Sequence, residues 1–283
     1  MSVADIEQVS IVKSFGGEQG VYRHRSSETG GDMVFAVFVP PQAATRPCPV
    51  VTYLSGLTCT HANVMEKGGY QRVAADLGLI VVCPDTSPRG DEAPNDPAYD
   101  FGQGAGFYVD AMEAPWAKSF RMYSYVTVEL PALIAAHFPS DAERQGIFGH
   151  SMGGHGALTI ALRHPDTYRT VSAFAPIVAP SQVPWGRKAF AGYLGSDETR
   201  WLNHDAVALI NSGHRVREIL VDVGGADPFL DRELKPDLLR DACAAARIPL
   251  TLRIQDGYDH SYFFIATFME DHLRWHAERL RDA

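Results

Sequence analysis

Apolar and polar positions change rhythm along the chain. Ile11 to Phe15, Gly20 to His24 and Met33 to Val39 are short runs rich in β-branched and aromatic residues. Gly16-Gly17 and Gly30-Gly31 separate them, so the pattern predicts an antiparallel opening. Pro49 to Leu54 and Leu79 to Pro84 are instead continuous apolar runs, as buried parallel strands are. Between them Tyr70 to Leu77 reads as a helix. The same alternation continues to the end of the chain. Tyr123 to Phe138 predicts a helix, Gly146 to Gly149 a short strand, and Gly153 to His164 a helix stopped by Pro165. Thr170 to Ala175 predicts a strand, Ser181 to Ser212 a helical excursion, and Glu218 to Val223 a strand. Pro236 to Arg247, Leu250 to Ile254 and Phe263 to Arg279 read as helix, strand and closing helix. Strands alternating with helices imply a mostly parallel sheet covered on both faces. No repeat or low-complexity linker divides the chain, so one α/β domain over residues 1–283 is expected.

The stretch from Asp85 to Ala114 lacks periodicity and is rich in Gly, Pro and Asp. A loop that long inside a compact domain is functional or disordered.

Composition narrows the classes. Of 283 residues 46% are hydrophobic and 21% charged, enough for a real core. The net charge of -9 lacks the basic footprint of nucleic-acid or anionic-membrane binding. Met1 to Glu7 has no basic region followed by an apolar one, so it is not read as a leader peptide, and no apolar run reaches the roughly 20 residues of a membrane span. The expectation is a cytoplasmic protein. Cys48, Cys59, Cys83 and Cys243 form no Cys-x-x-Cys pair and are read as thiols in a reducing compartment.

Gly149-His150-Ser151-Met152-Gly153 carries the chemistry. An apolar strand precedes this G-x-S-x-G and a glycine-rich helical pattern follows it. Such a turn needs small neighbours, because the serine sits on a strained backbone that lifts its hydroxyl above the sheet. The helix N-terminus beside it favours developing negative charge.

A serine hydroxyl needs a base, and acid and histidine follow the serine in chain order when it sits in this kind of turn. His24, His61 and His137 precede the serine; His150 lies inside the turn; His155 and His164 belong to the following helix. His204 and His214 lie in the helical excursion. His272 and His276, four apart on the last helix, have metal-like spacing but read as solvated surface. His260 follows the final strand in a turn-rich loop and is the candidate base. Asp222 and Asp227 compete as the acid. Asp227, in the loop beyond the strand, is better placed to fix the His260 tautomer; Asp259 adjoins the base and should point elsewhere. The oxyanion donors are assigned to the N–H groups of Met152 and Leu57, with Gly56 permitting the turn. Cys59 lacks a nucleophile's surroundings and is expected to be a packed or pocket-lining thiol, and is also assigned to substrate binding. Gly102-Gln103-Gly104-Ala105-Gly106 follows a loop rather than a strand, so no dinucleotide site is assigned. No metal-binding spacing stands out.

Several segments together resemble the S-formylglutathione hydrolase (esterase D) family. They are Leu54 to Thr60, Pro84 to Gly90, Gly106 to Asp110, Gly149 to Gly156, Pro184 to Phe190 and Tyr258 to Tyr262. The likeness runs through nearly the whole chain. It implies an α/β-hydrolase fold, with a mostly parallel central sheet, antiparallel N-terminal strands and helices on both faces. It implies a serine hydrolase, without cofactor or metal and often a homodimer, that cleaves S-formylglutathione to formate and glutathione in formaldehyde detoxification. It places nucleophile, acid and base on Ser151, Asp227 and His260, the oxyanion donors on Leu57 and Met152, and a wall of the acyl pocket on Trp185. The same catalytic residues would also serve a general short-chain carboxylesterase, or an acyltransferase of the same fold.

Glutathione carries two carboxylates, so an acidic protein needs a local cation at the site mouth. Lys67, Arg89, Lys118, Arg121, Arg187 and Lys188 are the candidates. Lys188, close to Trp185, is assigned with Cys59 and Trp185 to substrate binding.

Overall fold

The protein was analysed as a computed structural model, which describes residues 4–281. Met1, Ser2 and Val3, part of the stretch read as lacking a leader, lie outside the described residues.

Three antiparallel strands open the chain: β1 (Glu7–Ser14), β2 (Gly17–Arg25) and β3 (Asp32–Val39). Then come β4 (Cys48–Leu54), helices α1 (His61–Lys67) and α2 (Gln71–Leu77), and β5 (Ile80–Pro84). Short α3 (Met122–Ser124) and α4 (Leu130–His137) are joined by one π-helical stretch, Tyr125–Glu129. Pro131 has no N–H to offer the carbonyl four residues back, and the Leu130 N–H bonds the carbonyl of Tyr125, five back. The remaining elements are β6 (Ser140–His150), α5 (Met152–Arg163), β7 (Tyr168–Phe174), α6 (Pro184–Leu194), α7 (Glu198–Trp201), α8 (Ala206–Asn211), β8 (Ile219–Gly224), α9 (Pro236–Ala246), β9 (Leu250–Gln255) and α10 (Tyr262–Arg281). Helix α1 has no sequence-based counterpart. It is seven residues long and buries little, but a reciprocal Thr60–Asn63 cap closes its first turn.

The nine strands form one sheet in the order β1-β2-β3-β5-β4-β6-β7-β8-β9. Pairing is antiparallel from β1 through β3 to β5 and parallel from there on. The chain leaves β4 toward β5 on one side and returns to β6 on the other. The carboxyl ends of β4 and β6 therefore flank a point where the winding reverses, the place where parallel sheets form crevices. Helix α5 packs on β4, β6 and β7. Helix α10 packs on the same strands from the opposite face, alongside α1 and α2.

His272 and His276 depart from expectation. Both are fully buried against the sheet. Their i, i+4 spacing places both rings over polar positions of β7 and β8, which share one face because strand side chains alternate. His276 Nδ1 meets Thr170 Oγ1 at 2.6 Å and its Nε2 meets Ser172 Oγ at 2.9 Å. Ser172 Oγ also meets His272 Nδ1 at 2.8 Å, and His272 Nε2 meets Asp222 Oδ2 at 3.1 Å. An ionised Asp222 only accepts, so His272 carries its proton on Nε2 and takes the Ser172 hydroxyl proton on Nδ1. His276 then donates from Nε2 to Ser172 and accepts from Thr170. Every member is satisfied with both rings neutral. Burial pushes the Asp222 carboxyl up, but hydrogen bonds from His272 and Arg253 prevail and bring it to about 2.

Acid should therefore unfold this protein early. His150, His155, His272 and His276 are all buried. Burial holds each below the ordinary 6.5, His155 at about 4. In the unfolded chain these rings protonate as pH falls through 6.5, while the native rings stay neutral. Stability is thus full above 6.5 and declines below it, by roughly 1.4 kcal/mol per ring for each pH unit until the native ring also protonates. The urea midpoint should drop clearly between pH 7.5 and pH 5. An unchanged midpoint would show that these rings are already charged in the native state.

Candidate active site

Ser151 occupies the single residue between β6 and α5, at φ 57° and ψ −117°. This left-handed backbone is costly for a non-glycine residue and persists only where surroundings enforce it. The enforcement is visible. The Ser151 N–H donates to the Phe174 carbonyl at 2.9 Å, and its carbonyl accepts from His155 at 2.9 Å. A Cβ on Gly149 would stand 2.6 Å from the Leu54 carbonyl oxygen, and one on Gly153 only 1.9 Å from it. Both glycines of the motif are thus required for the turn to lie against the end of β4.

His260 and Asp227 come from the loops after β9 and β8. His260 Nδ1 donates to Asp227 Oδ2 at 2.5 Å. The other carboxylate oxygen accepts the Phe229 N–H at 2.8 Å, so both oxygens are committed. The Asp227 side chain is fully buried and that of His260 is 16% exposed. Asp222, the competing acid, lies in the network beneath the sheet, where Arg253 and Gln255 also bond it. Asp259 accepts from the N–H and hydroxyl of Ser261. Ser151 and His260 line the same cavity; no hydrogen bond joins Ser151 Oγ to a partner among the described residues. A catalytic hydrogen bond of this type often closes only when substrate fills the site.

The loop after β4 lies against the elbow. A Cβ on Gly56 would be 3.2 Å from Ser151 Cβ and 3.1 Å from His150 Nδ1. A side chain there would push its neighbours by a few tenths of an ångström; the backbone has no positive φ, so close approach and not the turn favours glycine. Met152 opens α5, and neither its N–H nor that of Leu57 has an acceptor among the described residues. Free main-chain donors beside a reacting serine are what an oxyanion requires.

The cavity holds about 320 Å³ and is walled by this loop, by Trp185, and by Tyr99, Phe229 and Tyr262. Trp185 is fixed on three sides. Its main-chain N–H bonds Glu233 at 3.0 Å, its indole N–H bonds Tyr99 at 3.1 Å, and its ring packs on Phe229 at 4.7 Å. Cys59 lines the cavity, and burial raises its thiol above the ordinary 9.0, which leaves it protonated near neutrality. His150 also lines it, its ring 4.4 Å from that of His260 and held neutral by burial. Tyr99 comes from the long Asp85 to Ala114 loop; the sequence did not single out Asn63, Phe229, Tyr262 or His150 for this wall. Tyr262 and Phe229 stand within two residues of the base and acid, which is the signal that could have found them.

Lys188 does not line the cavity, and its ammonium is held by Asp100. The other five cations proposed for the mouth are likewise absent from the cavity wall. Arg187 pairs with Glu198, Arg121 with Glu28, and Arg89 with Asp85. An acidic protein spends its arginines on its own carboxylates. Among the described residues no group of three or more His, Cys, Asp or Glu is arranged to hold a metal ion. No described helix is long and apolar enough to cross a membrane.

Comparison with known proteins follows the same lines. The family model described as "Putative esterase" matches residues 26–275. S-formylglutathione hydrolase of Paracoccus denitrificans is 59% identical over 274 residues, covering 97% of this chain and 98% of its own. That of Mus musculus is 53% identical over 279 residues, covering 97% and 99%. A solved S-formylglutathione hydrolase from Agrobacterium tumefaciens is 58% identical, with a TM-score of 0.96 over 96% of this chain and 99% of that one. A ferulic acid esterase, at 19% identity and a TM-score of 0.74, shares the fold alone.

Proposed function

As the chain belongs to the S-formylglutathione hydrolase family of esterases, with the α/β-hydrolase fold, we propose that it hydrolyses S-formylglutathione to formate and glutathione. One observation supports the mechanism: the turn-borne Ser151, the Asp227-bound His260 and the Leu57 loop line one small aromatic cavity. Ser151 Oγ attacks the formyl carbon while His260 Nε2 takes the hydroxyl proton. The N–H groups of Leu57 and Met152 hold the oxyanion. His260 then protonates the departing thiolate, and the same ring activates water to release formate from the serine. The protonated Cys59 thiol supports a wall rather than a nucleophile.

The pinned indole of Trp185 supports a preference for the smallest acyl group. The test compares kcat/KM for S-formylglutathione with that for aryl esters of acetate and butyrate. The thioester should be the better substrate, and butyrate the poorest ester. A rate on aryl acetate that matches or exceeds the thioester would instead favour a general carboxylesterase. Trp185→Ala should narrow the acetate-to-butyrate ratio by about tenfold, the worth of a few methylene contacts. An unchanged ratio would remove Trp185 from the acyl pocket. The cavity wall gives no cation for the glutathione carboxylates, so their recognition falls to groups beyond this wall. We further propose a single-domain, cytoplasmic homodimer. Four free thiols support the reducing compartment, and sedimentation tests the dimer.

A further inference from the structure

We propose that Arg89 is a positioning residue for the oxyanion hole: it clamps the Cys59 carbonyl and thereby fixes the Leu57 N–H toward the reacting oxygen. The loop it holds is strained. Thr58 sits at φ 69°, a left-handed conformation that a β-branched residue adopts only under constraint. Three contacts supply that constraint. The Thr58 N–H donates to Gly104 O at 2.8 Å. The Cys59 carbonyl accepts from Thr86 Oγ1 at 2.6 Å and from Arg89 Nη2 at 2.9 Å. Arg89 is itself locked, its Nε lying 3.0 Å from each oxygen of Asp85. Asp85 is 6% exposed and also accepts the Thr86 N–H.

The glycines of the Gly102 to Gly106 segment take part. Gly104 has φ 88°, and a Cβ there would stand 3.1 Å from Thr58 Cα and 3.4 Å from Arg89 Nη2. The string that resembled a nucleotide loop is what lets a second loop close on the oxyanion loop. A planar guanidinium suits this task because it binds a carboxylate and a carbonyl at once, in one plane.

Neither Arg89 nor Asp85 lines the Ser151 cavity. Arg89 lines instead a separate polar cleft of about 770 Å³, shared with Arg25 and Lys118. It therefore stands outside the cavity in which Ser151 reacts, and its effect should appear where the Leu57 donor matters, in the charged transition state.

The inference rests on the hydrolase reading, so wild type is assayed in parallel on S-formylglutathione and on an aryl acetate. Arg89→Ala should lower kcat on both by about 10- to 100-fold, with KM changed less than about threefold. The cleft leaves the vacated position open to solvent, so millimolar methylguanidinium should restore part of kcat. Arg89→Lys, which neutralises Asp85 without the fork, should fall between. Thr86→Val removes the other donor to Cys59 while keeping the ion pair. It should give the same kcat-selective loss and covers the case in which Arg89→Ala does not fold. Folded variants with wild-type kcat, or a loss confined to KM or melting temperature, would overturn the positioning role. A wild type inactive on both substrates would overturn the hydrolase reading itself.

Discussion

Ser151→Ala should lower kcat by about 10⁴–10⁶-fold and leave the fold intact. The change deletes the attacking atom and little else. Ser151 Oγ makes no hydrogen bond to a described residue, so no buried partner is orphaned. The strained backbone at φ 57° is imposed by Phe174, His155 and the neighbouring glycines, not by the hydroxyl. Alanine accepts that conformation at similar cost. The residual rate reports what the oxyanion donors and binding achieve alone. Stopped-flow measurement of the acyl-enzyme burst checks the result: wild type should show one burst per active site and the variant none. A variant retaining more than about a hundredth of the rate would rule out Ser151 as the nucleophile.

Asp227→Asn should cost about 10⁴-fold in kcat at neutral pH. The geometry says why a near-isosteric change is so damaging. One Asp227 oxygen is already occupied by the Phe229 N–H, so the asparagine oxygen stays there and its amide N–H₂ faces His260. Two donors cannot share that bond. The imidazole moves its proton to Nε2, the nitrogen that must be bare to receive the serine proton. Melting temperature should change little, since the shape is kept. A rate within tenfold of wild type would take Asp227 out of the triad. Asp222→Asn is the contrast. Asp222 is ion-paired to Arg253 and bonded to His272 under the sheet, so its loss should show in stability and not selectively in kcat.

Much of this site is readable in the amino-acid sequence because its logic is local. The glycines at 149 and 153 announce a turn that only small residues permit, and the strand before and helical pattern after it say which turn. Asp227 and His260 stand out because loops at the carboxyl ends of successive parallel strands must meet at one edge of the sheet. The strands themselves are legible from continuous apolar runs. Their ends are less so: β6 begins at Ser140, six residues before the apolar run at Gly146 that marks it. The polar stretch from Ser140 to Gln145 pairs at its ends, where backbone hydrogen bonds decide and side-chain hydropathy does not.

His272 and His276 were misread for a related reason. Two histidines four apart on a helix look like a wet face until the strand opposite is known to offer Thr170, Ser172 and Asp222. That pairing joins residues 50 to 106 positions apart, and no local pattern encodes it. Lys188 shows the same gap in reverse. Its closeness in sequence to Trp185 suggested the pocket, but the helix turns it toward Asp100.

The sequence by itself determined the order of elements, the family, and which residues stand as candidate nucleophile, acid and base, because these depend on short motifs and on chain direction through a parallel sheet. Only the tertiary structure decided which side chains wall the cavity, that no cation lines it, and how the strained Thr58 loop is held. Those answers depend on through-space contacts between loops far apart in the chain. There, burial and hydrogen-bond satisfaction, rather than local propensity, set the position of each group.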